Sequence, residues 1–298
     1  MLTGEAPGPG AVHQFTAIGT NWQIETEHHL PEELKVGIAE LCADFDRTWS
    51  RFRIDSQVSK MAQAPGGGRF EFPARDLPLL DLYDRLHAAT GGAVDPLTGR
   101  DLELLGYDAS YSLRPDRAGL AARVPDSWAR DVGRDGTALI TARALVVDVG
   151  AAGKGHLVDL IAKTLLGAGI DRLVVDGSGD LRHAGAEPVV VGLEHPTRSD
   201  RVIGTVPLRN AALCASATSR RTWGEGLHHL LDGRTGRPVS TVVATWTIAA
   251  DATTADGLAT ALFVTEPDRL VGFEFSWARM LRDGRIQWSN DFPGEFFI

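Results

Sequence analysis

The first clear pattern of apolar and polar positions is HQFTAIGTNWQIETE, residues 13–27, whose second half alternates as a half-buried strand does. Leu34, Ile38, Leu41, Cys42, Phe45 and Trp49 then recur at offsets of four, seven, eight, eleven and fifteen, one face of an α-helix that begins after Pro31. A second helix is predicted over Leu77–Thr90. The Gly91–Gly92 pair ends it, because glycine takes left-handed backbone at little cost. Strand-sized apolar runs follow: ALVVDV (144–149), RLVVD (172–176), PVVVGL (188–193), TVPLR (205–209) and VVATWTIA (242–249). Two helices interrupt them, one after Lys154 with Leu157, Leu160, Ile161 and Leu165 on one face, the other, ADGLATALFV, from near Thr254. Near the end, WARMLRDGRIQWS sets Asp283 and Gly284 between apolar runs and reads as a hairpin.

No internal repeat or low-complexity linker divides this pattern. It predicts one mixed α+β domain over residues 13–298, behind a Gly/Pro-rich, flexible segment of residues 1–12. With 298 residues, 43% of them hydrophobic, the chain can bury a large core. A net charge of −9 and the lack of basic runs interleaved with aromatics argue against nucleic acid as a partner. Cys42 and Cys214 stand far apart, without zinc-site spacing or a disulfide framework. No apolar stretch has the length of a membrane span. The start shows no signal peptide or lipid-attachment cysteine, so the expected location is cytoplasmic as the sequence stands, and extracytoplasmic if a leader has been removed.

Five stretches carry candidate chemistry. In DATTADGLATALFV, Asp256 and Thr260 lie four apart on a predicted helix, so a carboxylate and a hydroxyl project from one face. Completed by carbonyls, such an all-oxygen set suits a hard ion such as Mg²⁺; the same positions also suit a first-turn carboxylate that satisfies free amides, with Thr260 in the core. ATGGAVDP, residues 89–96, allows close backbone approach at its glycines and holds Asp95 before Pro96, or is simply a helix end and a turn. HLLDGRTGRP, residues 229–238, places a histidine of near-neutral pKa ahead of a turn, a proton acceptor or an ordinary hydrogen-bonded histidine.

DVGAAGKGHLVD, residues 148–159, joins a strand to a helix whose first amides and Lys154 would face an anion; a tight joint with a solvated lysine has the same sequence. It is not a Walker loop, which needs four residues between its glycines and a hydroxyl after its lysine, whereas Gly155 follows Lys154 here. VDGSGDLRHAG, residues 175–185, lacks the third glycine of a dinucleotide fingerprint.

Taken in their order along the chain, with AIGTNWQI and FDRTWSRFRIDSQVSKM ahead of them, these blocks resemble the ApbE-like FAD:protein FMN transferases, formerly called thiamine-biosynthesis lipoproteins, from about Thr16 to Phe263. The resemblance implies mixed, largely antiparallel sheets flanked by helices, and a Mg²⁺-dependent enzyme. Its substrate would be FAD, and it would transfer the FMN half to a hydroxyl of an acceptor protein carrying a flavinylation Ser/Thr motif, releasing AMP. Cofactor contacts then fall on Ile18, Phe52, Ala93, Val94, Asp95, Asp148, Lys154 and Leu230. Metal ligands fall on Asp256, Thr260 and the carbonyls of Ala151 and Ala259, and His229 is the candidate catalytic base. Ile18 stands for the family's methionine and Phe52 for its tyrosine, while Ser178, Ala217 and Gly233 replace glycine, glycine and proline. The same residues serve two other readings: a Mg²⁺-dependent FAD pyrophosphatase giving FMN and AMP, and a non-catalytic FAD-binding protein.

Overall fold

The computed structural model describes residues 10–297, apart from the side chain of Ser199. Residues 1–9 of the segment expected to be flexible lie outside the described residues, whereas Ala11 and Val12 already belong to the first strand. Eight strands form one sheet: β1 (Ala11–Ala17), β2 (Thr20–Thr26), β3 (Leu173–Asp176), β4 (Asp180–Ala184), β5 (Ala212–Ala217), β6 (Val242–Ala249), β7 (Phe275–Leu281) and β8 (Ile286–Trp288). They lie side by side in chain order, each antiparallel to the next. The four helices that matter for the site are α1 (Glu32–Trp49), α2 (Leu77–Thr90), α3 (Gly153–Gly167) and α4 (Ala252–Val264).

Alternation along the strands decides what covers each face of this sheet. Ile24, Leu173, Val175, Ala212 and Cys214 point into a core shared with all four helices. Their neighbours Val174, Leu181, Leu213, Ala244 and Trp246 point the other way, into a second core shared with Val191, Leu193, Val206 and Leu208. Those last residues belong to a separate three-stranded sheet, Val189–His195, Arg198–Leu208 and Glu295–Phe296, and so the runs predicted at 188–193 and 205–209 cover the main sheet instead of joining it.

One predicted strand is not a strand. Residues 144–149 bury Leu145, Val147 and Val149, as their alternation requires, but they form no ladder among the described residues. The Asp148 amide donates to the Pro96 carbonyl at 2.7 Å, and Gly99 packs so closely that a Cβ there would lie 2.8 Å from the Val146 oxygen. Period-two burial reports a packed face and does not by itself report a hydrogen-bonded neighbour.

Helix α4 starts two residues earlier than predicted. Asp251 caps it, accepting from the Thr254 amide at 2.7 Å, so Asp256 lies in the second turn and the capping role considered for it belongs to Asp251. Two fully buried threonines of β6 tie the helix to the sheet: Thr247 donates to the Ala255 carbonyl at 2.6 Å and Thr245 to the Ala259 carbonyl at 2.8 Å. Against the other side of α4 lies α3, and they touch at Gly155, where a Cβ would stand 2.1 Å from the Ala252 oxygen and 2.7 Å from the Asp256 Cβ. Gly155→Ala is therefore expected to cost about 1–3 kcal/mol by overpacking, with Tm falling by about 2–4 °C per kcal/mol in thermal unfolding followed by circular dichroism; an unchanged Tm would show that the two helices part freely.

Candidate nucleotide and metal site

The site grows from the first turns of α3 and α4. Helix α3 opens with three small or flexible residues, Gly153, Lys154 and Gly155, and the third leaves an amide with no partner inside the helix. Asp256 supplies the partner, its Oδ2 accepting from the Gly155 amide at 2.9 Å. In return, Asp159 of α3 accepts from the amides of Ala252 and Thr253 at the start of α4, at 2.9 and 2.7 Å. Each helix thus caps the other. One turn after Asp256, the Thr260 hydroxyl lies 3.2 Å from the Ala151 carbonyl of the loop leading into α3.

A second buried carboxylate faces this group. Asp180, at the start of β4, is 1% exposed and sits 2.7 Å from the Lys154 ammonium. Burial first, and then the Asp180 carboxylate, push Asp256 well above the usual carboxylate range against the pull of Lys154. Burial raises Asp180 as well, with Lys154 pulling the other way. For Lys154 burial is opposed and outweighed by the two carboxylates, so its pKa is raised. Lys154 also donates to the Ser178 carbonyl at 3.3 Å, and Ser178 receives the Thr20 hydroxyl at 2.8 Å. The tip of the β1–β2 hairpin is thereby docked onto the turn between β3 and β4.

Ile18 occupies that tip with φ of +44°, followed by Gly19 at +77°. A two-residue turn between antiparallel strands demands positive φ at both positions, and a β-branched residue tolerates it poorly. Strain held at an exposed loop tip beside a buried charge cluster is the kind that marks a ligand contact.

On the far side of the Ala151 loop, Asp148 pairs with the buried Arg51 at 2.5 Å. Burial would raise the Asp148 carboxyl, but Arg51 outweighs it and the pKa is lowered. The Arg51 guanidinium stands 4.2 Å over the Phe52 ring, Phe52 stacks on Tyr111 at 5.1 Å, and Tyr107 stacks on Trp223 at 5.2 Å. Such a shelf of rings beside a cation suits a planar heteroaromatic group. Two buried polar atoms here lack a partner among the described residues, Arg51 Nη2 and His229 Nδ1. Burial, and then the Arg221 guanidinium, lower His229 to a pKa of about 4.

The remaining predicted residues behave differently. Ala93 and Val94 are buried, the Ala93 carbonyl accepting from the Gly233 amide at 2.9 Å. Asp95 spends both oxygens internally: Oδ1 accepts from the Leu97 amide at 2.8 Å, Oδ2 from the Trp128 amide at 3.0 Å, with His87 Nε2 at 3.2 Å. Leu230 packs against Val242 and Phe263 in a core cluster. The Ala259 carbonyl, one residue before Thr260, accepts from the Thr245 hydroxyl at 2.8 Å with one of its two lone pairs. The geometry thus gathers Ile18, Phe52, Asp148, Ala151, Lys154, His229, Asp256 and Thr260, while Ala93, Val94, Asp95 and Leu230 make the packing and hydrogen-bond contacts just described.

The profile of the ApbE family matches residues 18–275. The chain belongs to the ApbE family. It is 30% identical over 276 residues to the FAD:protein FMN transferase of Rhodobacter capsulatus, covering 87% of this chain and 52% of that protein, so it spans about half of that relative's length. The namesake from Vibrio cholerae is 27% identical over 248 residues, covering 79% of this chain and 74% of its own. Among solved structures, the flavin transferase ApbE from Vibrio cholerae superposes with a TM-score of 0.84 at 24% identity, covering 96% and 99% of the two chains. The ApbE protein from Thermotoga maritima gives 0.84 at 26% identity, covering 95% and 98%. These likenesses establish the largely antiparallel α+β fold expected of an ApbE protein. Among the described residues no helix is long and apolar enough to cross a membrane.

Sequence reasoning did not single out Asp180, although the block containing it lacks a dinucleotide fingerprint's third glycine and forms part of the family resemblance, because neither reading gives that carboxylate a role. It missed Arg51 and Asp159 too; an acidic residue four positions after a glycine at a helix start, Gly155 and Asp159, was the one available signal for reciprocal capping. The depressed His229 pKa has a measurable consequence. Between about pH 4 and 6.5 the unfolded chain binds a proton at this position that the folded chain refuses, so the histidine's contribution to stability falls as pH drops through that window. In an NMR titration the His229 imidazole is expected to protonate near pH 4; a midpoint near 6.5 would remove the assignment of a desolvated, neutral ring.

Proposed function

We propose that this protein is a Mg²⁺-dependent FAD:protein FMN transferase that acts on a Ser or Thr hydroxyl of an acceptor protein and releases AMP. The observation that carries this reading is the cluster in which Thr260 Oγ1 and the Ala151 carbonyl meet, one helical turn from the Asp256–Asp180 pair, with Lys154 closing one side. The cluster fits magnesium by its chemistry. Its donors are all oxygens, and among the described residues no group of three or more His, Cys, Asp or Glu forms a complete cage. A magnesium ion usually takes one or two carboxylates and completes its shell with water and substrate phosphate. Asp256, Thr260 and the carbonyls of Ala151 and Ala259 would hold it. When bound, such an ion offsets the charge of the diphosphate and polarises the phosphorus under attack.

The chain's own residues do the rest. Lys154 and the unpartnered Arg51 Nη2 bind phosphate oxygens, and Phe52 with the adjoining rings supports a base or flavin plane. Ile18 presses on the flavin from the hairpin tip. In the transfer, the acceptor hydroxyl oxygen bonds to the phosphorus of the FMN half, the phosphoanhydride P–O bond breaks, and its electron pair leaves with AMP. The hydroxyl proton passes to the neutral His229 ring, whose Nδ1 has no other partner.

Incubation with FAD and Mg²⁺, with and without a synthetic peptide carrying a flavinylation-type Ser/Thr motif, tests this reading. AMP release together with the mass gain of FMN on the peptide is the expected result. AMP and free FMN with an unlabelled peptide would make the protein a pyrophosphatase, and no AMP at all would leave it a carrier. Asp256→Ala is expected to lower labelling by about 10³-fold, since several kcal/mol of charge stabilisation disappear, and to lower Tm because the Gly155 amide loses its acceptor, while the far-UV circular dichroism of the folded protein is retained. His229→Ala is expected to reduce kcat by about 10²–10⁴-fold and spare FAD affinity. Full activity in either variant would refute the role given to that residue.

A further inference from the structure

An open groove of 490 Å³ runs between β1 and α1, lined on the strand side by His13, Phe15 and Ile18 and on the helix side by Val36, Ala39 and Asp46. Its two walls advance together, from His13 beside Glu32 and Lys35 to Ile18 and Asp46. Ile18 sits at the tip of the β1–β2 hairpin, which Thr20 and Ser178 tie to Lys154. The groove therefore ends at the hairpin tip that borders the site described above.

Strand β1 is an edge of the main sheet: its one partner among the described residues is β2. The two-residue turn makes Ala17 and Thr20 a hydrogen-bonded pair, and the pairing repeats at every second residue. Val12, Gln14 and Thr16 thus turn their N–H and C=O groups to the free edge. Natural proteins usually block such an edge with proline, inward charge or a bulge. Here Ala11–Ala17 carries none of these, its register with β2 is unbroken, and Val12 and Val36 are each 49% exposed beside it.

We propose that this edge and groove are the docking surface for the acceptor polypeptide, which adds to β1 as an extended ninth strand and is thereby aimed at the hairpin tip. The inference rests on the transferase reading, which requires a second macromolecule to bring a hydroxyl to a diphosphate held beyond Ile18. An extended chain suits that task. It takes its affinity from main-chain bonds to Val12, Gln14 and Thr16, sets alternate side chains into the groove, and advances about 3.3 Å per residue, so a segment along β1 delivers its next residues past Ala17 to the site.

Proline is tolerated on an edge strand where its nitrogen faces outward, and this gives a variant that keeps the fold. Gln14→Pro removes an outward donor, and Ala39→Trp fills the groove from an exposed position on α1. Each is expected to cut kcat/KM for labelling of the Ser/Thr peptide about tenfold or more, chiefly through KM, with Tm and FAD affinity by flavin fluorescence unchanged; Gln14→Thr, which keeps the N–H, is expected to label as the parent does. Parental kcat/KM in both Gln14→Pro and Ala39→Trp would overturn the docking surface while leaving the transferase intact. Failure of the parent itself to label the peptide would overturn the transferase reading, and the docking with it.

Discussion

Helices α3 and α4 hold each other by their ends. The first turn of a helix offers amides that nothing within the helix can satisfy, together with a partial positive charge that favours a carboxylate nearby. In this protein α3 lends Asp159 to the start of α4, and α4 lends Asp256 to the third residue of α3. Neither exchange is possible unless the backbones almost touch, which is why a glycine stands at position 155. The same approach brings the loop before α3 against the middle of α4, where Ala151 meets Thr260. The close packing that lets the helices cap each other thus also brings the oxygens of the cluster together.

Rigidity differs between the two halves of the site. Helix α4 is pinned from below by the hydroxyls of Thr245 and Thr247, both on a central strand of the sheet, so the oxygen cluster inherits the stiffness of that sheet. The aromatic half is assembled from segments distant in sequence: Arg51 and Phe52 after α1, Tyr107 and Tyr111 beyond α2, Trp223 between β5 and β6. One ion pair joins the halves, Arg51 to Asp148, and Asp148 also accepts from the Gly150 amide at 2.7 Å to set the curve of the loop that follows. A charge-assisted contact across elements so far apart fixes a distance between the rings and the oxygen cluster, as the proposed binding of a dinucleotide would require.

Periodicity made the four helices legible, because each buries one face against a core and its apolar spacing has no other use. The spacing of Asp256 and Thr260 was legible for the same reason. It was silent about β5, Ala212–Ala217, whose small and polar residues ALCASA carry no apolar alternation although the strand lies at the centre of the sheet. It misjudged residues 144–149, where burial without a ladder imitates a strand. Asp180 was beyond reach for a different reason: its importance comes from Lys154 and Asp256, which are 26 and 76 residues away along the chain and adjacent only after folding. Asp95 has a folding role the sequence did not reveal, since its carboxylate before proline accepts two backbone amides, one of them from Trp128, 33 residues away.

Charge explains why these oxygens call for a cation at all. Asp180 and Asp256, if both ionised, face a single ammonium from Lys154, and the Asp148–Arg51 pair is neutral, so the pocket carries an uncompensated negative charge where a diphosphate would have to lie. Burial makes that charge costly, and it raises the pKa of both acids against the pull of Lys154, which favours the protonated form. A proton neutralises one carboxylate and offers nothing to a phosphate. On the reading proposed above, a divalent ion held at Asp256 would take the place of that proton and would leave positive charge over for a phosphate. That coupling would follow from the sign of the buried charge and from the position of Asp180.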